Sequence, residues 1–476
     1  MITRRQWLGC LLGSGLYMPA MGAVGAEPLP ATCEVLVVGS GLAGLSAAYA
    51  ARQAGKCVCL IEKGPLIGGH SLLSSGSIAA VSPARQGQYK VRDSVEQFVE
   101  DAWKIGGQVG NRAILTRIAE GSEEALAILE REDIQFGPPF QATAGVHPRA
   151  FAATSQGRAA GRTYVTAMLA AVVRLGAPIF LRTKALKLMQ KPHALAVEVE
   201  EPFGRSQVTA DQVILATGGF TANSTLRQKI DGRLTPELKT SANPYGLLWD
   251  GADGDGLDMA QGIGAACTQG MGCQLLPIGG GRILDYAGGD IYVDDDGKRF
   301  VNEAATRNKL ASVIMNLPEK GFWVITDSQS RKGATLGTKL INGIVRKSDS
   351  VREMARGMGI NAEVLQHTLD EYNRGVRDGV DRQFGKTVFT QTIDKPPFYW
   401  GREGIYVHMS LDGLMTDDQA RVLNNAGNPI PHLFAAGEVV GGIFGRDRLG
   451  GAMLTNCLVM GRVAGLGTTT NPYPKS

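Results

Sequence analysis

The stretch from Glu34 to Glu62 reads EVLVVGSGLAGLSAAYAARQAGKCVCLIE and decides the fold class. Its apolar run from Val35 to Val38 predicts a buried parallel strand. Glycines follow at G-x-G-x-x-G spacing, small residues then predict a helix, and a second apolar strand ends at an acid. The stretch therefore predicts a β–α–β unit that binds a dinucleotide.

Each glycine and the acid of such a unit has its own physical role. Gly39 permits the tight turn, Gly41 leaves room for a pyrophosphate, and Gly44 lets the helix pack closely on the strand. The N-terminus of the helix offers unpaired N–H groups to the anion. Glu62 lies where a carboxylate accepts hydrogen bonds from a ribose diol. Strand, glycines, helix and acid in register are far more specific than the glycine triplet alone.

Length and composition indicate an enzyme-sized protein of two or more domains. The chain has 476 residues, of which 44% are hydrophobic and 20% charged, which is ordinary for a globular protein. The 63 glycines suit a backbone that closely approaches a large ligand. The net charge of +4 is small for the length, and no basic run with interleaved aromatic residues indicates a nucleic-acid partner.

The first 26 residues have the pattern of an export signal. Thr3 to Leu8 reads TRRQWL and resembles a twin-arginine motif, and a small-residue cleavage site ends at Ala26. A membrane anchor is the alternative, but the apolar stretch is short and is broken by three glycines and Pro19. We expect a bacterial periplasmic protein, exported already folded with its cofactor, whose mature chain has no membrane span.

The cysteines predict neither a disulfide framework nor a metal cluster. Of the seven, Cys10 lies in the leader, and the other six show no framework spacing. The chain has no C-x-x-C-H, so no haem is expected on it, and no C-x-x-C, so an iron–sulfur or zinc cluster is not expected.

The character of the sequence changes twice along the chain. Helical patterns over 91–135 and 160–176, and a buried strand from Gln212 to Ala216, continue the first unit. Short strands, a glycine run and a polar helical stretch then indicate an inserted α+β domain. A strand from Pro431 to Phe434 again has the pattern of the nucleotide-binding part. The predicted division is a signal peptide (1–26), a nucleotide-binding domain in two parts (27–271 and 405–476) and a capping domain (272–404).

Further motifs resemble one family of flavoproteins. They are Gly68-Gly69-His70-Ser71, Ser75-Gly76-Ser77, Ala216-Thr217-Gly218-Gly219, Arg299 through Arg307 (RFVNEAATR), Ala435-Ala436-Gly437-Glu438 and Arg448-Leu449-Gly450-Gly451. With the opening fingerprint, they make the chain resemble the flavoprotein subunits of fumarate reductase and succinate dehydrogenase, especially the soluble periplasmic fumarate reductases. The resemblance covers nearly all of the mature chain. It implies an α/β fold, in which a Rossmann-like FAD-binding domain carries an inserted α+β capping domain.

The resemblance also implies which residues bind FAD. The pyrophosphate is expected at Gly39 to Gly44, the adenosine ribose at Glu62, and the isoalloxazine along His70 to Ser77. Glu438 is expected at the ribityl chain or ring, and the residues from Leu454 to Asn456 at the pyrimidine edge. The expected cofactor-binding residues are Gly39, Gly41, Leu42, Ala43, Gly44, Glu62, Lys63, Gly69, His70, Ser71, Ser75, Gly76, Ser77, Thr217, Gly218, Glu438, Arg448, Ala452 and Leu454. Taken one by one, the later glycines are equally compatible with ordinary tight turns.

His70 matches the histidine that holds FAD covalently in the membrane-bound succinate-oxidising relatives. Soluble relatives often carry Asn there and hold FAD without a covalent bond. A covalent bond raises the flavin potential and so favours succinate oxidation. We expect noncovalent FAD in this chain.

The family reaction adds two hydrogens across an activated C=C bond. Reduced flavin gives a hydride from N5, a side chain gives the proton, and cationic groups hold the attached carboxylate. The resemblance makes Arg307 the proton donor, Arg448 the carboxylate clamp and His408 a hydrogen-bond donor to the same carboxylate. Arg307 as a simple carboxylate partner and His408 as a structural histidine are the alternatives. Arg446 is either a second cation of the pocket or a solvated side chain.

The chain departs from the family where dicarboxylates bind. Relatives have Q-x-H-P, whereas this chain reads Gln274-Leu275-Leu276-Pro277, and Met409 replaces a second histidine. Leu276 cannot bind an anion, and an unpaired buried carboxylate costs several kcal/mol. We therefore expect a reductase of an unsaturated monocarboxylate, an acrylate that carries an alkyl or aryl group. Arg282 and Asp285 are candidates to replace the family's proton relay, and Arg299 and Glu303 are expected to fix the domain hinge.

Three other functions remain open. The first is fumarate reduction with relocated ligands, in which Arg282 supplies the missing cation. The second is a dehydrogenase of the oxosteroid 1-dehydrogenase type, although those enzymes use tyrosines in place of the arginine acid. The third is a noncatalytic flavin protein for electron transfer or sensing. Because the chain has neither a haem motif nor a second nucleotide-binding unit, we expect its electrons to come from a separate periplasmic c-type cytochrome.

Overall fold

A computed structural model describes residues 28–469, except 143–144, 155–159, 248, 278–279, 281, 285 and 334. The expected signal peptide and the relay candidate Asp285 lie outside the described residues. The helices are α1 (Leu42–Gln53), α2 (Gly69–Leu73), α3 (Pro83–Gly87), α4 (Val95–Ile105), α5 (Arg112–Arg131), α6 (Ala160–Arg174), α7 (Ser224–Ile230), α8 (Asp255–Gln261), α9 (Arg307–Ile314), α10 (Leu336–Ile341), α11 (Val351–Met358), α12 (Ala362–Asp378) and α13 (Ala452–Gly467). The strands are β1 (Thr32–Val38), β2 (Val58–Glu62), β3 (Ile78–Ala79), β4 (Ala150–Phe151), β5 (Ile179–Leu181), β6 (Lys184–Lys191), β7 (Ala194–Glu201), β8 (Gly204–Leu215), β9 (Cys273–Leu276), β10 (Ile291–Val293), β11 (Gly321–Thr326), β12 (Val345–Ser348), β13 (Phe398–Gly404), β14 (Tyr406–Ser410), β15 (Arg421–Leu423) and β16 (Pro429–Ala435).

The central sheet brings four strand ends to one edge. In the order β15-β16-β8-β1-β2-β5, the neighbours from β16 to β5 are parallel, and β7 and β6 extend the sheet from β8 as antiparallel strands. Val38 of β1 lies beside Ile61 of β2 and Leu215 of β8, and Leu215 also lies beside Ala435 of β16. The loops that follow these strands therefore meet at the carboxyl edge, where α/β sheets bind ligands.

Close backbone approach explains the glycines of the first turn. Val35 to Val38 are buried as predicted. Gly39 has φ +106°, and a Cβ there would lie 2.3 Å from the carbonyl oxygen of Ala216. A Cβ on Gly44 would lie 1.9 Å from the carbonyl oxygen of Gly39. Any side chain at either position would push α1 or β8 away from β1, so the packing of the unit requires glycine at both.

The inserted region builds its own sheet. Strands β10, β11, β13 and β12 form an antiparallel sheet in that order, and side chains of α11 and α12 share a core with it. The predicted polar helical stretch is two helices, because Gly359 ends α11 in a left-handed conformation with φ +74°. No helix among the residues described combines the length and the apolar character that a bilayer crossing requires.

A buried network of charges crosses this inserted region. Arg299 donates to both carboxylate oxygens of Glu303 (2.8 and 2.9 Å) and to Asp381 (2.9 and 3.2 Å). Lys386 adds an ion pair to Glu303 at 3.2 Å. All four side chains belong to residues 272–404. The expectation that Arg299 and Glu303 fix the hinge is therefore not supported by their contacts, which join parts of one region to each other.

The two chain crossings between the regions run side by side. Strand β9 pairs with β14 in antiparallel fashion, with Leu276 beside Tyr406 and Leu275 beside Val407. This pair carries Gln274 on one strand, and His408 and Met409 on the other. Residues from the predicted active site thus sit on the connection between the two sheets.

Candidate active site

A cavity of about 450 Å³ runs from the carboxyl edge of the central sheet to the inserted region. Most of the residues predicted from the sequence line it. They are Gly39, Gly41, Leu42, Ala43, Glu62, Lys63, Gly69, His70, Ser71, Ser75, Gly76, Ser77, Thr217, Gly218, Arg307, His408, Glu438, Arg448 and Leu454. Gly44 and Ala452 are buried but are not part of the lining.

Glu62 is fixed at the dinucleotide end by the turn itself. Its Oε2 accepts hydrogen bonds from the backbone N–H of Ser40 (3.0 Å) and from its hydroxyl (2.6 Å). Its Oε1 accepts from the N–H of Gly64 at 2.7 Å. A carboxylate has about four lone-pair positions, so Glu62 keeps acceptor capacity for a ribose diol. Lys63, in contrast, is committed to Asp253 and Asp255 at 2.6 and 2.7 Å.

Trp249 covers this end of the cavity, and the sequence analysis missed it. Its indole ring lies over two glycines: a Cβ on Gly64 or Gly251 would come within 2.8 or 2.7 Å of it. The side chain lines the cavity and is nevertheless 64% exposed. The one available signal was a tryptophan in a glycine-containing loop between two predicted elements.

His70 forms an ion pair that the sequence did not reveal. Its Nε2 lies 2.7 Å from Oδ1 of Asp250. Asp250 also accepts from the hydroxyl of Thr240 (3.0 Å) and the N–H of Ala252 (3.1 Å). Burial disfavours the charge on His70, but the bond to Asp250 raises its pKa overall. Burial likewise opposes the Asp250 carboxylate, and the partner His70 outweighs it and lowers that pKa to about 2. The pair with Asp250 therefore favours the imidazolium form of His70 beside the cavity.

Arg307 is the first residue of α9 and is buried. Its guanidinium donates a hydrogen bond to the backbone carbonyl of Arg448. Burial, with the positive charges of Arg448 and Arg282, lowers the pKa of Arg307 to about 9, against the opposing effect of Asp447. An ordinary arginine is too weak an acid to give up a proton near neutral pH. The environment of Arg307 removes much of that obstacle.

Arg448 is held in a fixed orientation by protein groups. Its Nη2 donates to Oε1 of Gln274 at 3.3 Å, its Nη1 to the carbonyl of Leu449 at 3.4 Å, and its Nε contacts the sulfur of Met409 at 3.1 Å. A guanidinium has five N–H donors, so donors remain for a ligand carboxylate. Burial lowers the pKa of Arg448 to about 10, although Asp447 and Glu438 oppose that change.

His408 is a neutral neighbour of these two cations. Its Nδ1 lies 2.8 Å from the hydroxyl of Ser241. Burial and the charges of Arg448 and Arg307 lower the pKa of His408 well below its usual value. The side chain can hydrogen-bond a carboxylate but adds no positive charge to the pocket.

Glu438 is a further acidic residue that lines the cavity. Its Oε1 accepts from the N–H and the hydroxyl of Ser410 at 2.9 and 3.1 Å. Burial raises the pKa of Glu438, against the effect of His70. A carboxyl with a raised pKa can donate as well as accept a hydrogen bond.

The end of the cavity next to Arg307 is both apolar and cationic. Leu276, Ile283, Leu284 and Met409 line it together with two further cationic residues, Arg282 and Lys339. The ammonium of Lys339 donates to the carbonyl of Arg282 at 2.7 Å. Arg446 is exposed and is not in the lining, so its side chain is solvated and is not a second cation of the pocket.

The cavity wall fits an extended dinucleotide such as FAD. Gly41 faces open space, because a Cβ there would meet no other atom closer than 3.9 Å. The buried hydroxyl of Thr217 and the carbonyl oxygen of the Asn456 side chain have no hydrogen-bond partner among the described residues. Such groups need a partner, and Thr217 lies in the lining. In the part of the chain described, no cluster of His, Cys, Asp or Glu could hold a metal ion.

Comparisons with known proteins agree with this geometry. The family model of the FAD binding domain matches residues 34–454. A probable fumarate reductase of Shewanella frigidimarina is 32% identical over 457 residues, which cover 93% of this chain and 76% of that protein. The acrylate reductase flavoprotein subunit of Shewanella woodyi is 30% identical over 464 residues, which cover 90% of each chain. The open conformation of a flavocytochrome c3 fumarate reductase has a TM-score of 0.73 at 29% identity, and the match covers 100% of this chain and 82% of that one.

The family, the α/β fold and the cofactor predicted from the sequence are confirmed by these matches. The individual contact residues stay predictions, although the cavity gathers nearly all of them. The chain belongs to the FAD-binding flavoproteins of the fumarate reductase and succinate dehydrogenase family, and it is an FAD-dependent oxidoreductase that acts on C=C bonds.

Proposed function

We propose that the protein reduces the C=C bond of an unsaturated monocarboxylate, an acrylate that carries an alkyl or aryl group. The observation that carries the proposal is the composition of the substrate end of the cavity. Arg307 and Arg448 face the same space as Leu276, Leu284 and Met409. Such a pocket can hold one carboxylate at the arginines and an apolar substituent away from them.

The roles of the residues follow from their contacts. FAD, bound in reduced form, supplies the hydride. Arg448, held by Gln274 and Leu449, binds the carboxylate of the substrate through its remaining N–H groups. His408 donates a further hydrogen bond to that carboxylate. The charge that builds up on the carboxylate side during hydride addition is then stabilised by groups that need no reorientation.

Arg307 gives the proton to the neighbouring carbon. Its anchored guanidinium and its pKa of about 9 suit a donor that is charged at neutral pH and can still release a proton. The carbonyl of Arg448 fixes the donor relative to the clamp. The distance between proton donor and bound carboxylate is therefore set by one residue that serves both.

Reduction of fumarate is the second candidate, and one observation favours it. Arg282 and Lys339 line the same cavity and can bind a second carboxylate where Leu276 cannot. A relative named as a fumarate reductase points the same way, while another is named as an acrylate reductase flavoprotein subunit. Leu276 stands where dicarboxylate-reducing relatives are expected to carry the histidine of Q-x-H-P, and Met409 stands in place of a second histidine. Because both side chains are apolar, the monocarboxylate has the stronger support.

A substrate comparison decides between the two candidates. The FAD-loaded protein is assayed with reduced methyl viologen against fumarate, methacrylate, crotonate and cinnamate. We expect a higher kcat/KM for at least one monocarboxylate than for fumarate. Faster turnover of fumarate than of all three would reject the proposal, and an Arg282→Gln variant that loses fumarate reduction alone would establish the second candidate.

We further propose that FAD is bound without a covalent bond. The Nε2 atom of His70 lies 2.7 Å from Oδ1 of Asp250, and this hydrogen bond occupies one of the two ring nitrogens that a covalent bond to the cofactor could use. After precipitation with acid, we expect the yellow colour in the supernatant. Colour that stays on the denatured protein would contradict this.

The cellular setting is also part of the proposal. The twin-arginine pattern supports export to the periplasm, and the absence of a haem motif from this sequence supports electron delivery by a separate c-type cytochrome. Cell fractionation tests the export. Reduction of the bound flavin by c-type cytochromes purified from the periplasm tests the electron donor. If the protein is found in the cytoplasmic fraction with its first 26 residues still attached, export to the periplasm is contradicted.

A further inference from the structure

Asp447 joins three segments of the molecule and is fully buried. Its Oδ1 accepts hydrogen bonds from Nε2 of Gln274 and from the backbone N–H of Arg448, both at 2.7 Å. Its Oδ2 accepts from the backbone N–H of Asn308 at 3.0 Å. Gln274 lies on β9, Asn308 in the first turn of α9, and Asp447 in the loop that precedes α13. One carboxylate therefore holds the connecting strand, the helix that carries Arg307, and the loop that carries Arg448.

Two further bonds join α9 to the same loop. The side-chain amide of Asn308 donates to the carbonyl of Arg446 at 2.6 Å, and Arg307 donates to the carbonyl of Arg448. The start of α9 is thus attached to three consecutive residues of the loop. A carboxylate is also the favourable partner for the unpaired N–H groups and the positive end of a helix N-terminus.

We propose that Asp447 is the positioning residue that docks α9 on the FAD-binding domain and thereby places Arg307 for proton transfer. The inference rests on the proposed function, since it takes Arg307 as the proton donor. Gln274 contributes to the same arrangement, because its amide donates to Asp447 while its carbonyl oxygen accepts from Arg448. The clamp and the donor are in this way fixed by one shared network.

The network needs a carboxylate and not an amide at position 447. All three bonds use Asp447 as acceptor, one of them on Oδ2 and two on Oδ1. An asparagine has one acceptor oxygen, so its NH₂ would face either Gln274 or the N–H of Asn308 as donor against donor. The negative charge of Asp447 has a second effect, because it opposes the lowering of the pKa of Arg307. The other groups that face Arg307 are the positive Arg448 and Arg282, which lower that pKa, and the neutral His408.

The test compares Asp447→Asn with Asp447→Glu in the FAD-loaded enzyme. In Asp447→Asn, we expect kcat to fall about tenfold and KM for the carboxylate to change less. The pH above which kcat declines should move to lower pH, because loss of the negative charge favours neutral Arg307. In Asp447→Glu, the charge stays while the geometry changes, so kcat should fall with little movement of that decline. Asn308→Ala is the matched control, since it removes the neighbouring bond to Arg446 without a change of charge and should leave the decline in place.

Hydrogen exchange gives a readout that does not depend on turnover. The amide of Asn308 should exchange faster in Asp447→Asn than in the parent enzyme, whereas amides of the central strand β1 should not change. A variant with unchanged exchange at Asn308 and an unmoved pH profile would overturn the inference. If Asp447→Asn does not accumulate with FAD, hydrogen exchange of the Asn308 amide in Asp447→Glu decides. Faster exchange than in the parent enzyme is expected, and unchanged exchange would contradict the inference. Failure of the proposed function itself shows separately, as full activity in an Arg307→Gln variant.

Discussion

Arg307 donates a hydrogen bond to the backbone carbonyl of Arg448, so the predicted proton donor is attached to the predicted carboxylate clamp. The two residues are 141 positions apart in sequence and belong to different regions of the fold. The charges of both residues help to lower the pKa of His408, and Arg448 contributes to the lowered pKa of Arg307. The contact therefore fixes the place of the donor, while burial and the charge of Arg448 lower its pKa.

Replacement of Arg307 by Gln should abolish turnover and leave the cofactor in place. Gln keeps a hydrogen-bond donor for the carbonyl of Arg448 but has no proton to give. We expect kcat to fall by about 10³-fold or more, the scale on which loss of a general acid and of charge stabilisation acts. The measurement is viologen-linked turnover together with the FAD content of the purified protein. Unchanged turnover would show that Arg307 is not the proton donor, and loss of FAD would show a structural role.

The parent enzyme should lose activity as the pH rises through about 9, the pKa of Arg307. The donor must be protonated, and its folded pKa lies well below the ordinary value of an arginine, so the decline begins well below the range in which arginine normally loses its charge. A pH profile of kcat at saturating substrate checks this. A profile that stays flat up to pH 10.5, where the fold is intact by circular dichroism, would contradict it.

Glu303→Gln should destabilise the inserted region strongly. The change leaves the buried Arg299 and Lys386 without the carboxylate that both contact, and breaking a buried ion pair costs about 3–5 kcal/mol. Glu100→Gln is the matched control, because its contacts with Lys104 and Arg112 are on the surface and such pairs contribute about 0–1 kcal/mol. Unfolding in urea, followed by tryptophan fluorescence, measures both. Equal effects of the two changes would contradict the expectation.

Trp249→Ala should weaken FAD binding. The indole covers Gly64 and Gly251 next to Glu62, where the adenosine half of FAD is predicted, and stacking of a base on an aromatic ring contributes about 1–3 kcal/mol. We expect the dissociation constant to rise at least about fivefold, measured by recovery of FAD fluorescence on dilution. Trp249→Phe should retain most of the affinity. Tyr245→Ala, in the same loop but outside the cavity lining, is the control, and an equal loss in it would remove the case for stacking.

The sequence predicted what depends on local spacing. Gly39, Gly44 and Glu62 act within a single β–α–β unit, so their separation along the chain is fixed by the lengths of one strand and one helix. Arg307, which opens a helix directly after the RFVNEAATR motif, was instead assigned from the resemblance to the flavoprotein family. Local spacing therefore places the first turn of the unit, whereas the rest of the expected cavity wall came from the family resemblance.

The contacts that tune the site could not be predicted in this way. His70 and Asp250 are 180 positions apart, and Asp447 lies 173 positions from Gln274 and 139 from Asn308. Nothing in residue spacing specifies such pairs, because they depend on how one region docks on another. Asp447 is adjacent to the predicted clamp Arg448, but adjacency alone does not show which way a carboxylate points.

Asp250→Asn should lower stability and shift its pH dependence. The parent protein gains from the His70–Asp250 pair only while His70 is charged and Asp250 is ionised. Because the pKa of His70 is raised in the folded protein, that gain is complete below the ordinary pKa of histidine and is lost as the pH rises through the raised value. Because the pKa of Asp250 is lowered to about 2, the gain is also lost as the pH falls from about 4 towards 2. Since charged hydrogen bonds contribute about 1.5–3 kcal/mol and His70 is partly exposed, we expect a difference of about 1–2 kcal/mol near pH 5–6. A difference that does not depend on pH would contradict the ion pair.

Leu276→His should move the specificity towards dicarboxylates. Leu276 lines the cavity beside Met409 and the clamp Arg448, and its apolar side chain cannot stabilise a second carboxylate. A histidine there offers a hydrogen-bond donor, and one satisfied charged contact corresponds to about tenfold in affinity or more. We expect the ratio of kcat/KM for fumarate to that for methacrylate to rise about tenfold, whereas Leu276→Met should leave the ratio within about twofold. If Leu276→His lowers both values equally, residue 276 shapes the pocket without selecting the substrate, and the choice between one carboxylate and two must then lie with Arg282 and Lys339, which line the same end of the cavity.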